Sequence, residues 1–145
     1  MLQARYAEVH MKVIYSLTEE NVIDLHELYQ GEWWTKGRTL IETKSVVDGS
    51  QINVGFVDER NVLVAYALVL TDFTFKAMVF DVIVSKGYRG KGLGDKLIER
   101  IKNHEKLSSV KCIELYCLPE MFEFYSRHSF SSDVSGVKLM RQSDV

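Results

Sequence analysis

The sequence predicts a mixed α/β domain: one central sheet, mostly antiparallel, of six to seven strands, with helices on both faces. Three observations lead there. Strand-length apolar stretches recur along the chain, helical apolar spacing behind capping residues interrupts them, and four glycines in eight positions mark a strand-to-helix junction. At 145 residues the chain forms one domain, 1–145, long enough to bury most of its apolar surface. Residues 1–10 read as a loosely attached extension, because Met11-Lys12-Val13 serves equally well as a start.

Residues 9–15 alternate enough for a first strand. Thr18 supplies an N-cap, and Glu19 and Glu20 an acidic first turn, for a helix to about Tyr29. Val22, Leu25, Leu28 and Tyr29 fall at helical spacing within it. The loop 30–37 leads to a second helix over about 39–47, ended by Asp48-Gly49-Ser50. Three strands follow at 52–57, 62–70 and 77–85, joined by turns at 58–61 and 71–74. Past the glycines, Leu97, Ile98 and Ile101 give the stretch 95–104 one apolar face. Residues 110–117 read as a strand and 120–127 as a short helix after Pro119. The neighbourhood of Phe130 and residues 137–140 read as two last strands.

Apolar residues make up 46% and charged residues 26%, a globular rather than a disordered balance. The net charge of −2 lacks the basic excess of a nucleic-acid-binding surface. No apolar run approaches the roughly 18 residues of a membrane span, and residues 1–10 lack the apolar core and cleavage site of a secretory signal. Cys112 and Cys117 sit five apart in one expected strand, which places them on opposite faces about 17 Å apart and unable to bridge. The four histidines show no ligand spacing and read as surface residues, so no metal site is expected. These readings describe a reduced, cytoplasmic domain with neither nucleic acid nor membrane as a partner.

The chemistry concentrates at Gly87-Tyr88-Arg89-Gly90-Lys91-Gly92-Leu93-Gly94. Glycine permits positive φ and close approach of a ligand to the backbone. A helix N-terminus directly behind it adds unpaired amides and about half a positive charge. Together they suit a pyrophosphate, with Arg89 and Lys91 as cationic side chains; the alternative is a plain exposed turn. The stretch is no P-loop, since Gly-Lys-Ser/Thr is missing, and no dinucleotide fingerprint, since Asp95 stands where the third glycine belongs.

Arg89-Gly90-Lys91-Gly92-Leu93-Gly94 does resemble the Arg/Gln-x-x-Gly-x-Gly/Ala signature of the GNAT superfamily of acyl-CoA N-acyltransferases. The preceding strand, Asp81-Val82-Ile83-Val84, and the helix behind match its context. The resemblance implies that the amides of residues 90–94 hold the pyrophosphate of CoA and that the pantetheine arm pairs with the strand around Val82 and Val84. Phe122-Glu123-Phe124-Tyr125-Ser126-Arg127-His128-Ser129-Phe130 is similar to the family's late FYxxxGF helix, which places Tyr125 where a tyrosine protonates the departing thiolate. Ser129 replaces the usual glycine, and Leu118-Pro119-Glu120 stands where many relatives carry an asparagine. Trp34-x-x-Gly37-Arg38, Thr71-Asp72 and Asp81-Val82 look like a bacterial GNAT subgroup.

What the resemblance implies is direct transfer of an acetyl group from acetyl-CoA to a primary amine of a small molecule or peptide, without a metal. An alkyl ammonium has a pKa of about 10.4 and must lose a proton first. Asp72, Asp81 and Glu114 are the candidate bases. Asp81 leads because it interrupts an apolar strand, where a carboxylate needs a task or a partner; pairing with an arginine is the equal alternative. Trp34, Arg38 and Asp72 are candidate acceptor contacts; of Trp33 and Trp34, one is expected on the core and Trp34 at the site. Arg38 either binds an acidic group on the acceptor or pairs with Glu32 or Glu42. The rival readings are a non-catalytic acyl-CoA-binding or sensor domain and a purely structural module, the second of which leaves the glycines unexplained. C-terminal strands that pair between subunits in this superfamily imply a homodimer.

Overall fold

The structure, a computed structural model, describes residues 11–143. Its elements are β1 (Lys12–Ile14), α1 (Glu19–Gln30), α2 (Leu40–Gly49), β2 (Ile52–Val57), β3 (Leu63–Thr71), β4 (Lys76–Val84), α3 (Leu93–Lys102), β5 (Cys112–Glu114) and α4 (Phe122–Ser126). Short 3-10 turns precede α3 at Lys86–Tyr88, follow it at Glu105–Leu107 and lead into α4 at Pro119–Met121. Thr18 caps α1 as the sequence predicts, and Thr39, read as the first residue of the second helix, is the cap of α2. Thr18 and Asn21 form a capping box at α1, and Thr39 and Glu42 form one at α2. No helix among the described residues is long and apolar enough to cross a membrane.

The sheet runs β1-β2-β3-β4-β5, antiparallel throughout except for the parallel pair β4–β5. Helices cover both faces. Ala65, Ala67 and Val69 of β3 point into a core with Leu97, Ile98 and Ile101 of α3 and Tyr125 of α4. Tyr66 and Leu68, between them, point into a second core with Val22, Leu25 and Tyr29 of α1 and Val47 of α2.

In β4 the alternation changes phase. Ala77 and Val79 face the α3 side, yet so do Val82 and Val84, while Phe80 and Ile83 face α1. The register explains it: Leu68 pairs with Phe80 and Tyr66 with Ile83, so Asp81 and Val82 together oppose Ala67. Asp81 takes φ +56, outside the strand region. This is a β-bulge, and it turns the Asp81 side chain from the α3 face towards α1.

Five strands stand among the described residues, not six to seven. Neither the neighbourhood of Phe130 nor residues 137–140 form a strand; Val137, Leu139 and Met140 lie exposed, with no neighbouring strand to supply ladder bonds. The expected strand 110–117 shortens to Cys112–Glu114, so Cys117 lies beyond it. Residues 9 and 10 of the expected first strand, and the extension 1–10, lie outside the described residues. Both described cysteines are free.

The end of α4 accounts for one sequence departure. Phe130 N–H bonds Tyr125 O at 3.2 Å and Ser129 N–H bonds Ser126 O at 3.1 Å, with Ser129 at φ +69. That is a Schellman motif whose left-handed position favours glycine. Ser129→Gly is expected to stabilise the fold by about 1 kcal/mol, minus glycine's extra chain entropy. A thermal melt should rise by about 3 °C; an unchanged or lower midpoint would show that Ser129 sits there without strain.

Candidate active site

β4 and β5 pair only over Lys76↔Cys112, Ala77↔Ile113 and Met78↔Glu114. Phe80 still meets Tyr116 edge-on at 5.6 Å, but the last residues of β4 have no strand on that side. Ser85 N–H bonds Val64 O across the sheet, so by strand alternation the amides of Val84 and Val82 face the open side. The parted strands therefore expose backbone donors at the two positions the sequence singled out.

The glycine stretch closes β4 onto α3. Gly90 has φ +77 and Gly92, the N-cap of α3, φ +81, and a side chain at either would meet nothing within 4 Å. The amides of residues 90–95 find no acceptor among the described residues, the first internal bond being Lys96 N–H to Gly92 O at 3.1 Å. A run of free amides at a helix N-terminus, with open space before it, fits a diphosphate. Gly94 differs: a Cβ there would stand 3.3 Å from Phe124 Cζ, so its glycine serves the packing of α3 on α4 while its amide stays free. Leu93 is buried in the core and offers only its amide. Lys91 lies over the Tyr88 ring at 5.3 Å. Arg89 is already engaged, with Nε on Val84 O at 3.2 Å and its guanidinium on the Glu32 carboxylate.

Tyr125 lies in α4, in the core shared with α3. Its ring is buried and packs edge-on against Phe124 at 4.9 Å and Phe130 at 6.0 Å. The hydroxyl has no hydrogen-bond partner among the described residues, yet it is not sealed from solvent. Burial, with the Cys117 thiol nearby, pushes its pKa up to about 12, so the phenol keeps its proton throughout the neutral range. Asp95, in the first turn of α3, anchors this segment through His128 Nε2 at 2.6 Å and Arg127 at 3.2 Å, and Lys102 holds His128 O at 2.8 Å. The His128 bond, reinforced by Arg127, holds the Asp95 carboxyl below its usual range. His128 is thus buried rather than a surface residue.

The bulge delivers Asp81 to a polar cluster under α1. Arg38 donates to Asp81 Oδ2 at 2.6 Å, and Tyr29 OH donates to the same oxygen at 2.9 Å. Arg38 also lies over the Tyr29 ring at 4.6 Å. Burial, with Asp81 alongside, keeps the Tyr29 hydroxyl protonated far above neutrality. Arg38 therefore pairs with Asp81 rather than with Glu32 or Glu42, and Glu42 instead caps Thr39. The other two candidate bases are engaged elsewhere. Asp72 Oδ1 accepts the amides of Thr74, Phe75 and Lys76 in the β3–β4 turn, which holds its pKa down. Glu114 is bonded to Lys76. Neither tryptophan covers the core: Trp33 is 76% and Trp34 38% exposed, while Thr35 is buried with its hydroxyl on Tyr29 O at 2.8 Å.

Tyr29 is the site neighbour that sequence reasoning missed, and Glu32 was read there only as a partner for Arg38. Tyr29 reads as a plain apolar helix position, and only the bulge at Asp81 gives its hydroxyl a partner. Glu32 and Arg89 line a cavity of about 220 Å³ between the end of α1 and the end of β4. A wider depression of about 780 Å³, between Tyr15, Asn53 and the end of α3, touches none of these residues. No group of three or more metal-ligating side chains occurs among the described residues.

The chain is similar to known proteins in sequence and fold. A family model described as an acetyltransferase (GNAT) domain matches residues 49–132. The uncharacterized N-acetyltransferase ycf52 of Gracilaria tenuistipitata var. liui is 29% identical over 123 residues, 83% of this chain and 67% of its own length. That of Porphyra purpurea is 26% identical over 145 residues, 97% of this chain and 83% of its own. A GNAT-family protein from Xanthomonas campestris pv. campestris superposes with a TM-score of 0.80 at 23% identity, covering 92% of both chains, and so shares the fold. With the family model spanning over half of the sequence, from the end of α2 through the glycine stretch to Tyr125 and beyond, the chain belongs to the GNAT acetyltransferases.

Proposed function

We infer that the chain moves the acetyl group of acetyl-CoA directly to a primary amine of a small molecule or peptide. The observation that carries this reading is the run of free amides over residues 90–95 behind the parted edge of β4. Acetyl-CoA would supply the acetyl thioester. The amides of residues 90–95 would hold its diphosphate, and those of Val82 and Val84 its pantetheine arm. Tyr125 would give its proton to the leaving thiolate as the amine nitrogen bonds to the acetyl carbon and the carbon–sulfur bond breaks. Asp81, the candidate carboxylate on the open part of β4, would take the proton from the amine, with Arg38 and Tyr29 fixing its orientation. An open, protonated Tyr125 favours catalysis over mere binding of the donor.

Calorimetry with CoA tests this. Gly92→Asp places a carboxylate in the cradle, and Asp tolerates positive φ better than most residues, so the fold suffers little. The wild type should bind CoA, and the variant at least about tenfold more weakly. No binding by the wild type sinks the reading.

A further inference from the structure

The ion pair between Arg89 and Glu32 joins the donor side to the acceptor side. Arg89 immediately precedes the open cradle, and Glu32 stands in the α1–α2 loop that also carries Trp34 and Arg38. Both line the 220 Å³ cavity, together with Glu27 and Lys86. The Arg89 side chain is 49% exposed and that of Glu32 19%. Arg89 would ordinarily be read as a phosphate ligand, yet here its guanidinium belongs to a carboxylate and its Nε to Val84 O.

We propose that Glu32 is a latch on Arg89 and so a positioning residue for the donor. This rests on residues 90–95 being the diphosphate seat. A diphosphate there lies beside Arg89 and competes with Glu32 for the same guanidinium. The existing pair is exposed on the arginine side and screened by water, whereas a diphosphate offers more charge and a bidentate match. The exchange therefore runs towards the donor and costs part of its affinity. It also frees the Glu32 carboxylate, which shares the cavity with Glu27 and Lys86, at the C-terminal end of α1, whose last turn holds no basic residue. That surface then favours a cation, the form in which a primary amine arrives. Loading of the donor thereby prepares the acceptor side.

The test is a double-mutant cycle on the full chain with CoA as the probe, read by calorimetry, with melts to verify folding. Glu32→Gln keeps the size, removes the competing charge and should tighten CoA binding about fivefold. Arg89→Gln should weaken it, and adding Glu32→Gln to Arg89→Gln should give no gain. Equal or weaker binding by Glu32→Gln overturns the latch. So does an equal gain in both backgrounds, which marks a general charge effect. Failure of every form to bind CoA instead sinks the acetyl-CoA reading on which the latch depends.

Discussion

Tyr125→Phe should fold, bind CoA as the wild type does, and lose about a hundredfold or more in kcat. The ring carries the packing, so removing one oxygen leaves the contacts with Phe124 and Phe130 in place. No hydrogen bond to the protein is lost, because the hydroxyl makes none among the described residues. Only the proton is missing. In the proposed transfer the leaving thiolate takes that proton, and the phenol holds it because burial raises its pKa to about 12. The sign follows: deprotonation of Tyr125 inactivates, and it sets in only as pH rises towards 12. The wild-type kcat profile should therefore show no falling limb from this group below about pH 10. Once an amine is found that the wild type acetylates, a free-thiol readout decides it. A variant that keeps wild-type kcat removes Tyr125 from the chemistry.

The glycine stretch between β4 and α3 was legible in the sequence because its parts are contiguous. Four glycines, a strand before them and an amphipathic stretch behind them lie in one segment, and local backbone rules place their amides without knowledge of the rest. The cluster of Asp81, Arg38 and Tyr29 was not, because its parts meet only through a backbone irregularity. Strict alternation in β4 puts Asp81 on the face of Ala77 and Val79, under α3. A single left-handed residue reverses that and brings it to Tyr29 and Arg38, residues far away in sequence. Nothing in Met78-Val79-Phe80-Asp81-Val82 marks the bulge apart from an Asp, one of the few residues that tolerates positive φ. The two missing strands fail for a related reason. Their apolar residues satisfy a strand pattern, but a pattern fixes no partner, and no neighbouring strand among the described residues supplies the ladder bonds.

Substitutions at Asp81 separate its structural role from its chemical one. Asp81→Ala should cost about 3 kcal/mol, lowering the melting midpoint by about 10 °C. Two terms add: alanine at φ +56 is strained by about 1 kcal/mol, and the fully buried Tyr29 loses the acceptor for its hydroxyl. Arg38 adds less, since its side chain is 31% exposed and water can solvate it. Asp81→Asn should cost only about 1 kcal/mol, because asparagine tolerates the backbone and keeps an oxygen for Tyr29 and Arg38. It cannot take a proton from an amine. If Asp81 is the base, the Asn form binds CoA normally, melts within a few degrees of the wild type and loses about a hundredfold in kcat. Full activity in Asp81→Asn would leave Asp81 as the anchor of the bulge and of Arg38, and would pass the proton to water. The melting pair and the activity pair can thus disagree, and the disagreement is informative: a large loss in Ala with none in Asn marks a scaffold, and a loss of activity in both marks a base.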